Sequence, residues 1–346
     1  MAERKKINLA LQGGGAHGAF TWGVLDRLLQ EPELEIAGLS GTSAGAMNGA
    51  AVKSGLIKGG PDLARELLDW LWGEIGAIDN DALMEFMRLW APPTAAISHM
   101  IEHSPGFQFA DLLSRMSSPY FAGSLHYNPL EKIVKELYCE TLCSTQGPDF
   151  SIGATNVRTG KIKVFREGDI TIDAILASAC LPTLYQAIEI DDPETGRTEA
   201  YWDGGYTGNP ALFPLFEPHL PDDIVIVNIN PLHREALPVT PQQIQNRINE
   251  ISFNSSLLRE LRAINFVKEL LADGRLAPGT MKNVLIHMIA DDDLMNDLSV
   301  ATKMVPTPLV IHDMHAAGIR AADRFLRGDI DNVGQRDSID LHEMFS

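Results

Sequence analysis

The chain has 346 residues, 45% of them apolar, and a formal net charge of -18 at pH 7. This composition is typical of a globular protein with one large α/β domain or two smaller ones. Because the acidic chain has no cluster of Lys and Arg, it is unsuited to nucleic acid and to recruitment by anionic membranes through charge alone. The three cysteines form no CxxC pair, so we expect reduced thiols rather than a disulfide framework.

The N-terminal segment indicates neither a targeting signal nor a membrane span. Its apolar run covers residues 7–11, which is too short for the hydrophobic region of a signal peptide. No stretch of the chain reaches the roughly 18 uncharged apolar residues that a spanning helix needs. We therefore expect a cytoplasmic protein.

The first predicted strand, residues 7–12, leads into the glycine loop Gly13-Gly14-Gly15-Ala16-His17-Gly18 and then into a helix. The loop fits the G-x-G-x-x-G pattern of dinucleotide-binding folds, but that fold also needs an acidic residue at the end of the second strand. Glu33 and Glu35 precede the second strand instead. The three consecutive glycines are better suited to an anion cradle, since their amides can converge on one oxygen.

The second predicted strand, residues 36–39, ends in Gly41-Thr42-Ser43-Ala44-Gly45, and a helical pattern follows. Gly-x-Ser-x-Gly between a strand and a helix is the spacing of a nucleophile elbow, in which Gly41 and Gly45 let the backbone turn sharply. The helix that begins there directs its free amides and positive dipole end at the turn, as a developing oxyanion requires. A simple turn serine is the competing interpretation.

Residues 73–127 form a helical insertion rich in methionine and aromatic residues, with few charges. Such residues at irregular spacing form adaptable apolar surfaces. One interpretation is that they cover the sheet. The other is an acyl-chain pocket or a lid that opens at a lipid surface.

The middle of the chain contains a second site candidate. A strand hairpin is predicted around residues 158–160, and a helix capped by Thr171 follows it. Tyr201-Trp202-Asp203-Gly204-Gly205 then places an aspartate at the end of a strand, directly before two glycines. Asp-Gly-Gly is common in turns, but an aspartate that must reach a serine hydroxyl also needs bare backbone beside it.

The C-terminal third is predicted to hold a buried strand at residues 223–230 and a long helix from Thr240 to Asp273. Apolar residues of this helix are expected to face inward: Ile244, Ile248, Ile251, Leu258, Leu261, Val267 and Leu271. If part of the helix is exposed, it could support a homodimer. The acidic turn at residues 291–297 lacks the glycine and glutamate of a calcium loop, so we expect no metal site. Residues 328–346 are predicted to form a mobile polar tail.

In combination, the glycine loop, the serine elbow and the Asp203-Gly204-Gly205 segment resemble the patatin-like phospholipase family. Ala177-Ser178 with Pro182 resembles the remaining block of that family, and the likeness covers residues 7–209. The resemblance implies a three-layer α/β/α fold with a mostly parallel sheet. It also implies a single hydrolase domain over residues 1–327.

The resemblance further implies a serine acyl hydrolase that needs no cofactor and cleaves esters of lipids, with transient contact to a membrane surface. Ser43 would be the nucleophile, Asp203 its base without a histidine, and Gly13, Gly14 and Gly15 the oxyanion hole. His17 departs from the family, which more often has Arg or Lys there. The departure leaves open whether a fixed positive charge assists the site.

Three alternatives stay open at this point. An α/β-hydrolase triad in the order Ser, Asp, His could recruit His287, His312 or His315, all of which follow Asp203. A dinucleotide-dependent oxidoreductase would use the glycine loop alone. A non-catalytic member of the fold would keep the motifs without turnover.

Overall fold

A computed structural model describes residues 4–76, 84, 87, 91–121, 128–137, 140–277 and 279–345. Its centre is an eight-stranded mixed sheet in the order β5-β6-β3-β2-β1-β7-β8, with β4 also paired to β3. The strands are β1 Lys5–Leu11, β2 Leu34–Gly41, β3 Asp149–Asn156, β4 Ile162–Arg166, β5 Ile188–Asp192, β6 Arg197–Asp203, β7 Asp223–Val227 and β8 Leu285–Ile289. Strands β3, β2, β1, β7 and β8 are parallel, whereas β4, β5 and β6 join through antiparallel pairings.

Helices pack on both faces of this sheet. They are α1 Gly18–Leu28, α2 Ala44–Lys58, α3 Pro61–Ile75, α4 Thr94–Glu102, α5 Pro105–Met116, α6 Leu130–Leu137, α7 Ile172–Ser178, α8 Pro241–Ala272, α9 Asp292–Asn296, α10 Val300–Met304, α11 Pro308–Gly328 and α12 Leu341–Phe345. Alternate residues of a strand point to opposite faces, so Leu9 packs with α1, α2, α3 and α11, while Ala10 packs with α8 and α12. The three-layer α/β/α prediction is confirmed.

Strands β2 and β6 end facing each other along one edge of β3. Residues 151–155 of β3 pair with β4 on the opposite edge. On the shared edge, β2 pairs with β3 as far as Ile152, and β6 pairs with it from Ala154 onward. Because β2 is parallel to β3 and β6 is antiparallel to it, both strands run toward the gap between them. Ser43 follows β2 and Asp203 ends β6, so the two residues meet at this gap.

Helix α8 begins as its sequence predicts but buries a different part of its length. Thr240 accepts a hydrogen bond from the Gln243 amide, and the Gln243 side chain accepts one from the Thr240 amide. The prediction that Ile244, Ile248 and Ile251 face inward is wrong, since all three are exposed. Burial is concentrated in the middle of the helix, at Leu257, Leu261 and Ile264, because that is the part that lies on the sheet. Pairing of the exposed part with a second copy stays a prediction.

The C-terminal segment folds back onto the sheet edge instead of forming a mobile tail. Leu341 packs with the smaller core, and the Ser338 amide donates to the Ile286 carbonyl in β8. Residues 291–297, predicted as an acidic turn, include α9, whose cap is Asp291. Within the described ranges, no group of three His, Cys, Asp or Glu residues could hold a metal ion.

The insertion at residues 73–127 is described in part, and Phe86 and Trp90 lie outside the described residues, as does Cys139. Its helix α5 does not cover the sheet, because Phe109, Leu112, Leu113 and Met116 are 52 to 78% exposed. Where the structure describes the chain, Cys180 is a buried free thiol and Cys143 Sγ donates to the Ile170 carbonyl. No helix in those parts is both long and apolar enough to cross a membrane, and the cytoplasmic location stays a prediction.

Candidate active site

Ser43 occupies the turn between β2 and α2 in a backbone conformation that L-residues rarely adopt. Its φ is 55° and its ψ is -123°, which is the strained geometry of a nucleophile elbow. Two hydrogen bonds fix the turn: the Ser43 amide donates to Ser178 Oγ at 2.9 Å, and Thr42 Oγ1 donates to the Gly208 carbonyl at 2.7 Å. Ser178 Oγ in turn donates to the Gly153 carbonyl in β3. Ser178, in the Ala177-Ser178 block, therefore ties the serine elbow to β3.

Asp203 lies beside the Ser43 hydroxyl, at the gap where β2 and β6 end. Its carboxylate is buried and accepts a hydrogen bond from the Gly205 amide at 2.7 Å. Burial raises the pKa of Asp203 to about 7, although the hydrogen bonds from the Gly205 amide and the Ser43 hydroxyl oppose this. A carboxyl group with that pKa is a far better proton acceptor near pH 7 than one with its ordinary value.

The glycines around the two residues permit close approach of the backbone. A β-carbon on Gly45 would lie 2.2 Å from the Leu11 carbonyl oxygen, and one on Gly41 would lie 2.6 Å from the Gly45 oxygen. A β-carbon on Gly204 would lie 2.2 Å from the Gly153 oxygen, and one on Gly205 would meet the Phe253 ring. All four predicted site-shaping glycines therefore lie where a larger residue would displace the elbow or the aspartate.

The glycine loop passes directly beside the serine. A β-carbon on Gly13 would lie 2.7 Å from the Ser43 Cβ. The Gly13 amide already donates to Asn209 Oδ1 at 2.6 Å, and its carbonyl accepts from Asn230 Nδ2 at 3.0 Å. Within the described part of the chain, the Gly14 and Gly15 amides have no hydrogen-bond acceptor. Two of the three predicted donors are therefore available to a ligand.

His17 lies behind the loop rather than at the reacting groups. It is buried, with Nε2 hydrogen-bonded to Thr302 Oγ1 at 2.8 Å. Burial, and then the charge of Lys303, lower its pKa well below the usual value. The side chain is therefore neutral and carries no fixed positive charge.

A cavity of about 640 Å³ opens above these groups. Gly13, Gly14, Gly15, Ser43 and Asp203 line it together. Most of its remaining wall is apolar: Met47, Trp72, Ile75, Phe107, Leu130, Ile133, Leu181, Leu184, Phe253 and Met304. Cavities of this size and character bind small or chain-like ligands with a large apolar part.

No histidine of the described residues lines this cavity. His287 is buried elsewhere, with its nitrogens hydrogen-bonded to Asp223 at 2.9 Å and to Ser338 at 2.7 Å. His315 stacks on Trp22, with ring centroids 3.8 Å apart. Among the described residues, the interpretation with a Ser-Asp-His triad therefore has no histidine at the serine. The dinucleotide interpretation lacks its acidic residue, since β2 ends at the serine turn.

The family model described as patatin-like phospholipase matches residues 9–216, which is more than half of the chain. The chain belongs to the patatin-like phospholipase family. Membership of this family makes the patatin-like chain a lipid ester hydrolase. A search of curated proteins found no match.

Two solved structures are similar to this patatin-like chain. VipD from Legionella pneumophila is 16% identical, with a TM-score of 0.41, and the match covers 94% of this chain and 67% of VipD. The heterodimeric ExoU-SpcU complex of the type III secretion system of Pseudomonas aeruginosa contains a chain that is 16% identical, with a TM-score of 0.30. That match covers 96% of this chain and 71% of the other.

Three polar residues at the site were not identified from the sequence of this patatin-like chain. Asn209 accepts a hydrogen bond from the Gly13 amide, and Asn230 donates one to the Gly13 carbonyl. Lys303 lines the cavity. Asn230 follows the buried strand β7, and the carboxyl ends of parallel strands are where ligands bind, so a signal for it existed. Lys303 lies in a short helix with no motif, and nothing local distinguishes it.

Proposed function

We propose that the chain hydrolyses carboxylic esters of lipids, with Ser43 as nucleophile and Asp203 as its general base. The proposal depends mainly on one observation. A serine in a strained elbow lies beside a buried carboxylate whose pKa is raised to about 7, and this pair faces a cavity with apolar walls. Direct contact of base and hydroxyl would make a histidine relay unnecessary.

In the first half-reaction, Asp203 accepts the proton of Ser43 while Oγ attacks the ester carbonyl carbon. The carbonyl oxygen becomes an oxyanion, which the Gly14 and Gly15 amides and the amino-terminal end of α2 would stabilise. The bond to the leaving alkoxide then breaks, and Asp203 returns its proton to that oxygen. The products are a free alcohol and an acyl ester on Ser43.

In the second half-reaction, water replaces the serine as nucleophile. The water oxygen attacks the acyl carbon while Asp203 accepts a proton from that water. The oxyanion that forms is again bound by the glycine loop. The Ser43 oxygen leaves and takes the proton back from Asp203. A carboxylic acid is released and the enzyme regains its starting protonation state.

The walls of the cavity support a lipid as substrate. An acyl chain would lie against side chains such as Met47, Leu130 and Phe253, where burial of its CH₂ groups contributes about 0.8 kcal/mol each. Helix α5 presents Phe107 to this cavity and leaves its other apolar side chains in solvent. Because the side of α5 away from Phe107 is apolar and exposed, we propose that this side rests on a lipid surface while substrate enters.

The proposal is tested by labelling with a fluorophosphonate probe and by hydrolysis of p-nitrophenyl esters of medium-length acids. We expect wild type to be labelled and active, and Ser43→Ala to lose labelling and at least about 10,000-fold in kcat. His287→Gln, His312→Gln and His315→Gln are the matched controls and should retain labelling.

A wild-type protein without label or turnover would support the non-catalytic interpretation instead. Loss of activity in one histidine variant that still folds would support the triad. Saturable binding of NAD(H), followed by fluorescence, would support the dinucleotide interpretation.

A further inference from the structure

Helix α10 brings Lys303 against the glycine loop. The Lys303 carbonyl oxygen would lie 2.3 Å from a β-carbon on Gly15, and its own Cβ would lie 3.6 Å away. The Lys303 ammonium donates to Asn230 Oδ1 at 2.7 Å, and Asn230 also holds the Gly13 carbonyl. Lys303 also lines the cavity, so this residue belongs to the same wall as the glycine loop.

In the described part of the chain, the charge of Lys303 has no direct ion-pair partner. Among the described residues, no carboxylate lies within 4.0 Å of its ammonium. Glu250 acts on it from further away, but this carboxylate is already paired with Arg234 at 2.6 Å and with Arg247 at 3.2 Å. Local charge therefore stays positive around Lys303, in a chain whose net charge is -18.

A half-buried ammonium with one neutral acceptor still has donors to offer a ligand. Burial lowers the pKa of Lys303 to about 8, so the group still carries its charge at neutral pH. An ammonium has three donors, and Asn230 uses one of them. Removing a charge from water without a counter-ion is unfavourable, so the two remaining donors of this half-buried group favour an acceptor that carries negative charge.

Lys303 is also the single cation among the described residues that line the cavity. The other charged lining residues are acids: Asp203 at the serine, and Glu74, Glu102 and Asp111 on α3, α4 and α5. His17 in the glycine loop is neutral, so the loop itself supplies no positive side chain. An anionic group of the substrate would therefore be drawn to the side of the cavity that contains the glycine loop.

We propose that Lys303 binds the phosphate of a phospholipid head group while the ester carbonyl lies at Ser43. The inference rests on the proposed function and names the side chain that recognises the head group of its substrate. A neutral acylglycerol has the same ester but no anion for the ammonium, so Lys303 sets the preference between the two lipids.

The experiment compares kcat/KM on dihexanoylphosphatidylcholine with kcat/KM on dihexanoylglycerol, which has the same acyl chains and no phosphate. We expect the ratio of phospholipid to neutral-lipid kcat/KM to fall about 30-fold in Lys303→Met, because this variant loses a charge-assisted hydrogen bond to the phosphate. Lys303→Arg should restore most of the ratio, because the charge and donors return. Lys282→Met is the matched control: that lysine donates to the Leu215, Glu217 and Leu220 carbonyls and does not line the cavity.

An equal loss on both substrates, or an unchanged ratio in a folded Lys303→Met, would overturn the assignment and point to a role in the oxyanion site or in packing. Melting temperatures identify a variant that does not fold, and Lys303→Gln then replaces it. Wild type that is inactive on both lipids would overturn the proposed function itself. Competition by inorganic phosphate at physiological concentration, absent in Lys303→Met, would overturn the head-group assignment and indicate a free-phosphate site.

Discussion

The cavity has two walls that differ in how closely their atoms approach. The strand-end wall comprises Gly13–Gly15, the Ser43 elbow and the Asp203–Gly205 segment, and β-carbons added to its glycines would meet neighbouring atoms at 2.2 to 2.9 Å. The helical wall comprises the cavity-lining parts of α3, α5, α6 and α8, and α5 leaves most of its apolar side chains exposed. Close backbone packing therefore holds the reacting atoms of the strand-end wall in place, whereas the helical wall can adapt to a substrate.

This difference predicts which substitutions should change the free energy of unfolding and which should change the activity. Substitutions in the strand-end wall should affect chemistry and stability strongly, because closely packed backbone cannot relax. Substitutions on α5 should affect the encounter with substrate, because exposed side chains contribute little to the core.

Apart from loss of the serine itself, Asp203→Asn should give the largest effect. The amide keeps the acceptor for the Gly205 amide but cannot take the serine proton, so we expect kcat/KM on a short-chain ester to fall about 1,000-fold or more. Steady-state kinetics of the purified variant would measure it. Activity within tenfold of wild type would show that another group is the base.

The same variant should be more stable than wild type in alkaline solution. The Asp203 pKa is raised from 3.8 to about 7 in the folded chain, so wild type loses stability as pH rises from about 4 through 7. Asn cannot ionise and avoids this cost, which amounts to at most about 4 kcal/mol. Urea unfolding at pH 8 and pH 4 would test it, and the expected difference at pH 4 is close to zero.

Gly45→Ala and Gly106→Ala should have opposite effects on stability. A methyl group on Gly45 would lie 2.2 Å from the Leu11 carbonyl oxygen, whereas no atom of the described residues lies within 4 Å of one on Gly106 in α5. We expect Gly45→Ala to cost about 3 kcal/mol of unfolding free energy, and Gly106→Ala to add up to about 1 kcal/mol. Chemical denaturation would measure both variants, and equal changes would contradict the distinction between the two walls.

The pH dependence of wild type should report the buried carboxylate. Only ionised Asp203 can accept the serine proton, so kcat/KM should rise with pH and level off above about 8. We expect a value about 100-fold below the plateau at pH 5, given tenfold per pH unit below the pKa of about 7. A profile that is flat down to pH 5 would mean that Asp203 ionises at its ordinary pKa.

Phe109→Ser with Met116→Ser should have the smallest effect, confined to lipid surfaces. Both side chains are exposed on α5, and we expect hydrolysis of phosphatidylcholine vesicles to fall about tenfold relative to hydrolysis of a soluble ester. Met281→Ser removes an exposed methionine outside α5 and serves as the control. A fall of the same size in that control would rule out a specific role for α5.

Local sequence was sufficient where the chemistry depends on backbone geometry. Gly41-Thr42-Ser43-Ala44-Gly45 between a strand and a helix predicted the elbow, because few residue combinations permit that turn. The Thr240 cap of α8 and the hairpin before Ile162 were predicted for the same reason. The order of glycine loop, elbow and Asp203 predicted the family.

Tertiary structure decided everything that depends on contacts between distant segments. Asp203 reaches Ser43 because β6 runs antiparallel to β3 and ends opposite β2, a pairing that no local pattern encodes. The same strand pairing buries Asp203 and so raises its pKa. Ile244 and Leu261 both fit the apolar period of α8, but Leu261 is buried against the sheet and Ile244 is exposed to solvent. Lys303 follows Asp203 by 100 positions in a segment without a motif, and packing of α10 on the glycine loop brings its charge into the cavity.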